Sequence, residues 1–562
     1  MTRTLRSNFP RGSSLWAVRR AQWRALGITD ADMEKPKIAI VNTSSELAIC
    51  FSHLDRIVPV VKEAIRSAGG LPFEVRTAAP SDFIHSAGRR GTYILPSRDL
   101  IVNDIEVQVE GAQLDGMVCL TSCDKTVPGQ LMAAARLDIP SILVICGYQA
   151  SGEYRGHHMD IEEVFLGAGH HATGKITLDE LKAMSEDAIR SPGVCSGMGT
   201  ANSMHSVCEA LGMSLPGGAP VLAMSPAMLE HARASGRRIV GMVWEDLRPR
   251  KIMTRAAFAN AAAVVLALTG SINCIKHLQA TAVEAGLDLD VYKLFEDLIP
   301  RVPVLCAVRP NGETSIEDLE AGGGARAVLK QLGDLVQDDA LTVTGKTMAE
   351  NLAGYQVPAG SHVRARDAAL STNPGIVIVR GSLAPDGGII KMGLRWDRPL
   401  KVVGRARTFS AWEQAFEALK AGNIKPGDVV VLRGIGVKGG PGMGMASRIV
   451  FALDGAGLGP DVPVVTDGQL SGLVNKGLVV GEVTPEAAIG GPLGLVEEGD
   501  TITIDVERRT VDLEITAAEM AQRRQRFKPP AQHPDNSWVN IYERSVQPLA
   551  RGAALVGRKP QT

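Results

Sequence analysis

Short apolar runs alternate with longer amphipathic segments through the first 355 residues of this chain. Continuous apolar runs of strand length are typical of strands that are covered on both faces, and the segments between them have the length of crossover helices. We therefore predict a doubly wound parallel α/β domain over residues 1–360. The predicted strands are 37–42, 114–120 and 142–147, and the predicted helices are 55–68, 99–110, 159–191 and 201–211.

The pattern changes after a polar stretch at residues 356–373. Short segments rich in Val and Ile follow, separated by Gly, Pro and Asp, as in β-rich domains. Four of them are 375–379, 428–432, 462–466 and 501–506. We predict a second, barrel-like β domain over residues 374–562.

A turn between a predicted strand and a predicted helix carries Cys123, Asp124 and Lys125. In an open α/β sheet, ligands bind at this carboxyl edge of the strands. A thiolate suits soft metals and a carboxylate suits hard ones. Taken alone, the segment is better explained as a capped turn with a half-buried Cys and a Lys125–Asp124 ion pair.

Two further cysteines lie in comparable turns. Cys50, Cys123 and Cys195 stand 73 and 72 residues apart, and each follows an apolar strand or precedes a helix. Three thiolates at one sheet edge would suit an iron-sulfur cluster or zinc. The spacing alone is weak support, because such long intervals lack the specificity of a Cys-x-x-Cys pair. We interpret the other five cysteines as ordinary buried thiols.

Composition narrows the class of protein. Lys and Arg number 60 against 61 Asp and Glu, so no basic excess indicates nucleic acid or an anionic membrane as a partner. Eight scattered cysteines differ from a secreted disulfide scaffold and favour reduced thiols in a cytoplasmic protein. No apolar run has transmembrane length, so we expect no membrane partner.

Longer motifs resemble one family. Cys123-Asp-Lys-x-x-Pro-Gly129 is similar to the first signature of the dihydroxy-acid dehydratase and 6-phosphogluconate dehydratase family, which also includes sugar-acid dehydratases. The resemblance extends, in the family's order, over Leu95-Pro-Ser-Arg-Asp99, Cys195-Ser-Gly-Met-Gly-Thr-Ala-Asn202, Gly381-Ser-Leu-Ala-Pro-Asp-Gly387, Lys438-Gly-Gly-Pro-Gly-Met443 and Thr466-Asp-Gly-Gln-Leu-Ser-Gly472. It implies that the second domain is a swivelling β-barrel packed over the ligand edge of the first.

The resemblance also implies two cofactors. Cys50, Cys123 and Cys195 match the family's cluster ligands. The sugar-acid branch implies a [2Fe-2S] cluster, and the alternative is a [4Fe-4S] cluster. Asp82, Asp124 and Lys125 match the Mg²⁺ ligands, with the lysine carbamylated so that it offers oxygen. Without the resemblance, Asp82 in Pro80-Ser-Asp-Phe83 would be explained as an Asx turn.

Catalytic and substrate-binding residues follow from the same resemblance. Ser471 matches the catalytic serine, which would take the proton from C2 as an alkoxide, and Lys125 serves the metal beside it. A free serine is too weakly acidic for that step unless a positive group lies nearby. We further expect substrate contacts from Ser97, Arg98, Thr200 and His277.

Three positions in the second domain depart from the family pattern. Met445 stands where a Glu ligand of Mg²⁺ is usual, Gln469 where Arg is usual, and Glu482 where His is common. Because a thioether cannot bind a hard cation, either another acid such as Glu482 or Glu46 substitutes, or water holds the ion more loosely, or the chemistry has changed.

The expected activity is the dehydration of a 2,3-dihydroxy acid to a 2-keto acid. Ser81-Asp-Phe-Ile84 and the His-rich segment 157–171 favour a sugar acid as substrate. The alternatives are the dihydroxy-acid dehydratase of branched-chain amino-acid synthesis, 6-phosphogluconate dehydratase, and a non-catalytic or altered paralogue that keeps the cluster. By resemblance, we expect a homodimer or homotetramer.

Overall fold

A computed structural model describes residues 4–440, 446–470, 474–528 and 537–555. Its first sheet has four parallel strands in the order β2-β1-β3-β4, and every residue of β1 and β3 is buried. This confirms the predicted parallel sheet. The strands are β1 Lys37–Asn42, β2 Leu71–Arg76, β3 Gly116–Thr121 and β4 Ser141–Ile145.

A two-stranded hairpin follows β4, in a segment where a loop and no strand was predicted, and it ends where the predicted helix 159–191 begins. It consists of β5 Gly152–Tyr154 and β6 His157–Met159. Arg155 and Gly156 form its two-residue loop with φ of +52° and +79°. Positive φ at both central positions matches the twist of a tight hairpin, and Arg gives little sequence signal for it.

Helices cover both faces of the first sheet and then continue alone. The prediction of strands and helices alternating to about residue 355 was wrong, because the described chain contains no strand of either sheet between β4 and residue 376. A buried alanine-rich helix shows the same continuous apolar pattern as a buried strand. None of the helices in the described ranges is both long and apolar enough to cross a membrane.

The helices of this part are α1 Ser14–Ala25, α2 Leu54–Ser67, α3 Asp82–His85, α4 Ile94–Ile105, α5 Thr126–Leu137, α6 Ile161–Ala172, α7 Leu178–Asp187, α8 Thr200–Ala210, α9 Pro226–Glu245, α10 Pro249–Ile252, α11 Arg255–Ala267, α12 Asn273–Ala285, α13 Val291–Leu298, α14 Ile316–Ala321, α15 Gly324–Leu332 and α16 Met348–Leu352. A π-helical turn continues α4 over Glu106–Glu110.

The second sheet confirms a β-rich, barrel-like second domain. Its eight strands run in the order β14-β13-β9-β10-β11-β12-β8-β7, and a bridge between Arg380 and Thr510 brings the two edges together. The strands are β7 Ile376–Val379, β8 Gly387–Lys391, β9 Lys401–Phe409, β10 Asp428–Leu432, β11 Val464–Thr466, β12 Val479–Thr484, β13 Thr501–Asp505 and β14 Thr510–Leu513. Its helices are α17 Trp412–Lys420, α18 Ser447–Gly455, α19 Ala517–Arg526 and α20 Trp538–Ser545.

The two parts pack closely against one another. Phe165 of α6 meets Phe451 of α18 edge to face at 4.9 Å, and His170 contacts Asp454 at 2.8 Å. The C-terminal segment returns to the first part, where Asp99 accepts a hydrogen bond from the Leu555 amide at 3.0 Å. The domain limits 1–360 and 374–562 remain a prediction.

One buried ion pair joins the helix that begins at the Cys123 turn to the helix that carries His277. Arg136 of α5 donates to both carboxylate oxygens of Glu284 in α12, at 2.8 and 2.6 Å. The Glu284 side chain is fully buried. A buried carboxylate that loses its partner is strongly destabilising.

Arg136→Leu should therefore lower the free energy of unfolding by about 3–5 kcal/mol, since it removes the guanidinium that binds both oxygens of the buried Glu284 carboxylate. Urea titration followed by circular dichroism measures this loss. The matched control is Arg233→Leu, which breaks the exposed pair with Glu230 and should cost less than about 1 kcal/mol. Equal losses in the two variants would contradict this account of α5.

Candidate active site

The three cysteines of the predicted cluster lie at the carboxyl edge of the first sheet. Cys123 follows β3 by two residues, and Cys50 lies between β1 and α2. Cys195 directly follows Val194, which pairs in parallel with Tyr148 just beyond β4. The parallel strands thus deliver three turns from distant parts of the sequence to one edge.

Two of the three thiols are in direct contact. A hydrogen bond with Cys50, together with burial and the nearby Cys195, raises the pKa of Cys123 well above its usual range. Burial, followed by the charges of Glu162 and Asp124, also raises the pKa of Cys195. Without metal Cys123 and Cys195 would stay protonated, so loading with iron must release protons.

Side chains from neighbouring elements hold these turns in place. Ser122 donates to the carbonyl of Cys50 and thereby joins two of the turns. His205 of α8 contacts the carbonyl of Ser122 at 2.9 Å. Asn202, also in α8, donates to the carbonyl of Cys195 at 2.7 Å. One helix therefore fixes the backbone around two of the cysteines.

Asp82, Asp124 and Lys125 come together beside the cysteines. The buried Lys125 ammonium lies 3.0 Å from Asp82 and 3.9 Å from Asp124, and each carboxylate side chain is 20% exposed. Burial, followed by the Asp82 charge, raises the pKa of Asp124 to about 7. Oδ1 of Asp82 is buried and has no hydrogen-bond partner among the described residues. Two such carboxylates suit a divalent cation.

A further acid, Glu162 of α6, was missed by the sequence analysis. Its carboxylate packs so closely on the Cys195 turn that a Cβ at Gly197 or Gly199 would lie 2.9 Å from one of its oxygens. Burial, followed by the neighbouring Asp160, raises the pKa of Glu162. No local motif marks this residue, because its relation to the turn exists only in the fold.

His277 and Arg98 are neighbours in the buried interior. Arginine only donates, so its contact of 3.3 Å with Nδ1 of His277 places the imidazole hydrogen on Nε2. That Nε2 is buried without a hydrogen-bond partner in the described ranges. Burial, followed by the charges of Lys125 and Arg98, lowers the pKa of His277 well below its usual value. His277 thus offers one N–H donor at neutral pH.

Arg98 itself is largely engaged within the protein. It donates to Asp99 at 2.9 Å and to the carbonyl of Ala553 at 2.7 Å, and its side chain is fully buried. Ser97 donates to the carbonyl of Ile94. Both residues therefore serve the packing of α4 in the described structure, and their contact with substrate remains a prediction.

Thr200 lies at the start of α8, against the metal carboxylates. Its hydroxyl accepts from the Asn273 amide at 2.9 Å and lies 3.0 Å from the Ser271 hydroxyl. A hydrogen bond from Thr200 to Asp124 partly offsets the effect of burial on the pKa of that carboxylate.

A second buried ion pair crosses between the two parts of the chain. Lys276 of α12 donates to Glu482 of β12 and to the side-chain oxygen of Asn273. The Lys276 and Glu482 side chains are fully buried. Glu482 therefore already has a cationic partner, and Glu46, the other substitute acid considered above, is exposed.

Two of the sequence-based expectations lie outside the described residues. These are the catalytic role of Ser471 and the loss of a metal ligand at Met445. Gln469 is described, and it is buried two residues before Ser471.

Family models match nearly the whole chain. The model described as dihydroxy-acid/6-phosphogluconate dehydratase N-terminal covers residues 35–351, and the corresponding C-terminal model covers residues 361–553.

The chain belongs to the dihydroxy-acid/6-phosphogluconate dehydratase family. It is therefore a dehydratase, that is, a hydro-lyase. It is 40% identical to proteins named dihydroxy-acid dehydratase from Ignicoccus hospitalis, over 96% of this chain and 98% of the relative, and from Methanococcoides burtonii, over 98% and 100%. The same name and identity apply to a relative from Moorella thermoacetica, over 96% of this chain and 98% of the relative.

Dihydroxy-acid dehydratases generally use an iron-sulfur cluster and Mg²⁺. The three thiols at the sheet edge fit the first group, and the paired carboxylates with the unpartnered oxygen of Asp82 fit the second. No three His, Cys, Asp or Glu side chains in the described ranges are placed to hold a single ion. A hard cation would therefore take Asp82 and Asp124 and complete its coordination with water or an oxygen-bearing Lys125.

Binding of Mg²⁺ should depend on pH, because Asp124 must be ionised to coordinate it. With a pKa of about 7 in the metal-free protein, Asp124 is mostly protonated at pH 6 and ionised at pH 8. The affinity should therefore fall by about tenfold per pH unit below pH 7 and level off above pH 8. Calorimetric titration with Mg²⁺ from pH 5.5 to 8.5 measures this dependence.

The control for this pH dependence is His85→Gln, since His85 is the imidazole that accepts the Ser81 amide beside Asp82, at 3.1 Å. The variant should keep the same dependence. An affinity that stays constant between pH 6 and 8 in the unaltered protein would be inconsistent with Asp124 as the titrating ligand.

Proposed function

We propose that the protein converts a 2,3-dihydroxy acid to the 2-keto acid as a dihydroxy-acid dehydratase. The observation that carries this proposal is the pairing of three thiols with two carboxylates at one sheet edge. The full-length similarity to relatives that bear this name supports it. These relatives favour a dihydroxy-acid dehydratase over the sugar-acid dehydratase that we expected from the sequence.

The reaction removes one water and needs no oxidant. The proton leaves C2, the hydroxyl leaves C3, and the resulting enol tautomerises to the keto acid. When bound, Mg²⁺ supplies a Lewis acid for the carboxylate and C2 hydroxyl, and the cluster supplies one for the C3 hydroxyl. Ser471 remains our candidate for the base at C2.

The described residues have distinct parts in this proposal. Asp82 and Asp124 would hold the cation, and Lys125 would keep them together or bind the ion as a carbamate. Nε2–H of His277 is the neutral donor that is available for a substrate oxygen. Thr200 would orient Asp124 through its hydroxyl.

Apolar side chains beside the two ligand turns support an alkyl-substituted substrate. Leu47 and Ile49 precede Cys50 and are 64% and 41% exposed, and Ile84 follows Asp82 and is 50% exposed. These side chains would offer no hydrogen-bond partners to the further hydroxyls of a sugar acid.

A phosphorylated sugar acid is less well supported. Phosphate recognition calls for cationic side chains that can turn to the ligand. The buried cations near the site, Arg98, Lys125 and Lys276, are each paired with a carboxylate of the protein.

The oligomeric state and the cellular location of the protein are also proposals. The resemblance supports a homodimer or homotetramer, which light scattering after gel filtration tests directly. All eight cysteines are free thiols, which supports a reducing, cytoplasmic location.

The deciding experiment is an assay of anaerobically purified protein. Keto-acid formation should be highest with 2,3-dihydroxyisovalerate, much lower with gluconate and 6-phosphogluconate, and lost after Mg²⁺ is chelated. Preference for gluconate would restore the sugar-acid alternative. A protein that holds iron but turns over none of the three acids would indicate altered chemistry.

Cys195→Ser should lose most of its bound iron and its visible absorption, because a hydroxyl is a poor ligand for iron-sulfur clusters. Iron analysis and absorption spectra measure this. The matched control is Cys306→Ser, at a buried cysteine outside the sheet edge, which should keep its iron. Equal iron content in the two variants would exclude Cys195 as a ligand.

A further inference from the structure

The buried ion pair of Lys276 and Glu482 is not explained by a contribution to the stability of the fold. Both side chains are fully buried, and the loss of hydration lowers the pKa of Lys276. Apolar residues of similar volume in such a position are often as stable or more stable. The pair therefore calls for another explanation.

Its hydrogen bonds lead through Asn273 to Thr200, which interacts with the metal carboxylate Asp124. Lysine can only donate, so the oxygen of the Asn273 amide must face Lys276. The nitrogen of that amide consequently faces Thr200, to which it donates at 2.9 Å. Thr200 is thereby an acceptor on this side. With the Ser271 hydroxyl, 3.0 Å away and itself an acceptor for the Asn273 backbone amide, donating to Thr200 as well, the single hydrogen of Thr200 is left for Asp124.

The other end of the pair reaches the segment that leads to Ser471. The Glu482 amide donates to the carbonyl of Gly468 at 3.2 Å. Glu482 adopts a φ of +55°, which costs a residue other than glycine about 1 kcal/mol or more. The ladder between β12 and β8 is irregular at the same point, between Gly481 and Thr484. The backbone is thus strained where it presents this carboxylate to Lys276.

We propose that Lys276 and Glu482 are a positioning pair for the metal site. Glu482 holds the Lys276 ammonium, Lys276 fixes the Asn273 amide, and that amide directs the Thr200 hydroxyl to Asp124. The pair also connects the first part of the chain, which carries the metal carboxylates, to β12 of the second. This inference rests on the proposed Mg²⁺ site.

The informative variant is Lys276→Leu combined with Glu482→Leu. It removes both charges together, so neither is left buried and unpaired, and folding should be preserved. The Asn273 amide can then rotate and accept from Thr200, which takes the hydrogen away from Asp124. Loss of such a supporting hydrogen bond weakens metal binding by about 10- to 100-fold.

The readout is Mn²⁺ affinity, measured by electron paramagnetic resonance of free Mn²⁺ on anaerobically purified protein. The double variant should bind Mn²⁺ about 10- to 100-fold more weakly and keep a melting temperature close to that of the unaltered protein. Thr200→Val should show a similar loss. Adding Thr200→Val to the double variant should cause no further loss, since both changes act through the same hydrogen bond.

Lys37→Met is the matched control. Lys37 is also a buried lysine, and it donates to Asn8 and to the carbonyl of Met33, away from the carboxyl edge of the sheet. This variant should keep its Mn²⁺ affinity even if its melting temperature falls.

Two results would overturn the inference. One is a folded double variant that binds Mn²⁺ as tightly as the unaltered protein, and the other is a combined variant in which the two losses multiply. If the unaltered protein binds no Mn²⁺, the proposed metal site itself is wrong. Mn²⁺ binding by the unaltered protein therefore distinguishes a failure of the positioning role from a failure of the metal site.

Discussion

The active site depends on holding two carboxylates and an ammonium group together at a buried sheet edge. Desolvation opposes each of these charges and costs several kcal/mol per ion in a protein interior. Lys125 offsets part of the repulsion between Asp82 and Asp124, at 3.0 and 3.9 Å. A divalent cation would offset the remaining repulsion between the two carboxylates, so the site is most stable with a cation bound. The surrounding helices are needed to keep it in place without metal.

Buried hydrogen bonds and an ion pair hold those helices in place, and breaking them would be strongly destabilising. Arg136 joins α5 to α12 through Glu284, and Asn202 and His205 of α8 hold the cysteine turns. The elements that deliver the ligands are thus held in place by buried polar contacts. This connects the stability of the first part of the chain to the geometry of its site.

Much of the fold could be predicted because β1, β3 and β4 are continuous buried runs. The hairpin at Arg155 could not, since an arginine gives no sequence signal for the positive φ that its tight loop requires. The helix α8 was predicted, but those after it were misjudged because alanine-rich buried helices share the apolar pattern of strands. At the site, the motifs indicated Cys123, Asp124 and Lys125. They gave no sign of Glu162 or Lys276. Glu482 was considered as a substitute metal ligand, but its pairing with Lys276, 206 residues away, exists only in the folded chain.

Anomalous diffraction from anaerobically grown crystals soaked in Mn²⁺ tests the central claim, that one sheet edge holds both a soft and a hard metal site. Data collected at the iron and manganese edges distinguish the two elements. We expect iron at the sulfurs of Cys50, Cys123 and Cys195, and manganese at the oxygens of Asp82 and Asp124. Iron bound elsewhere, or manganese absent from the two carboxylates, would contradict it.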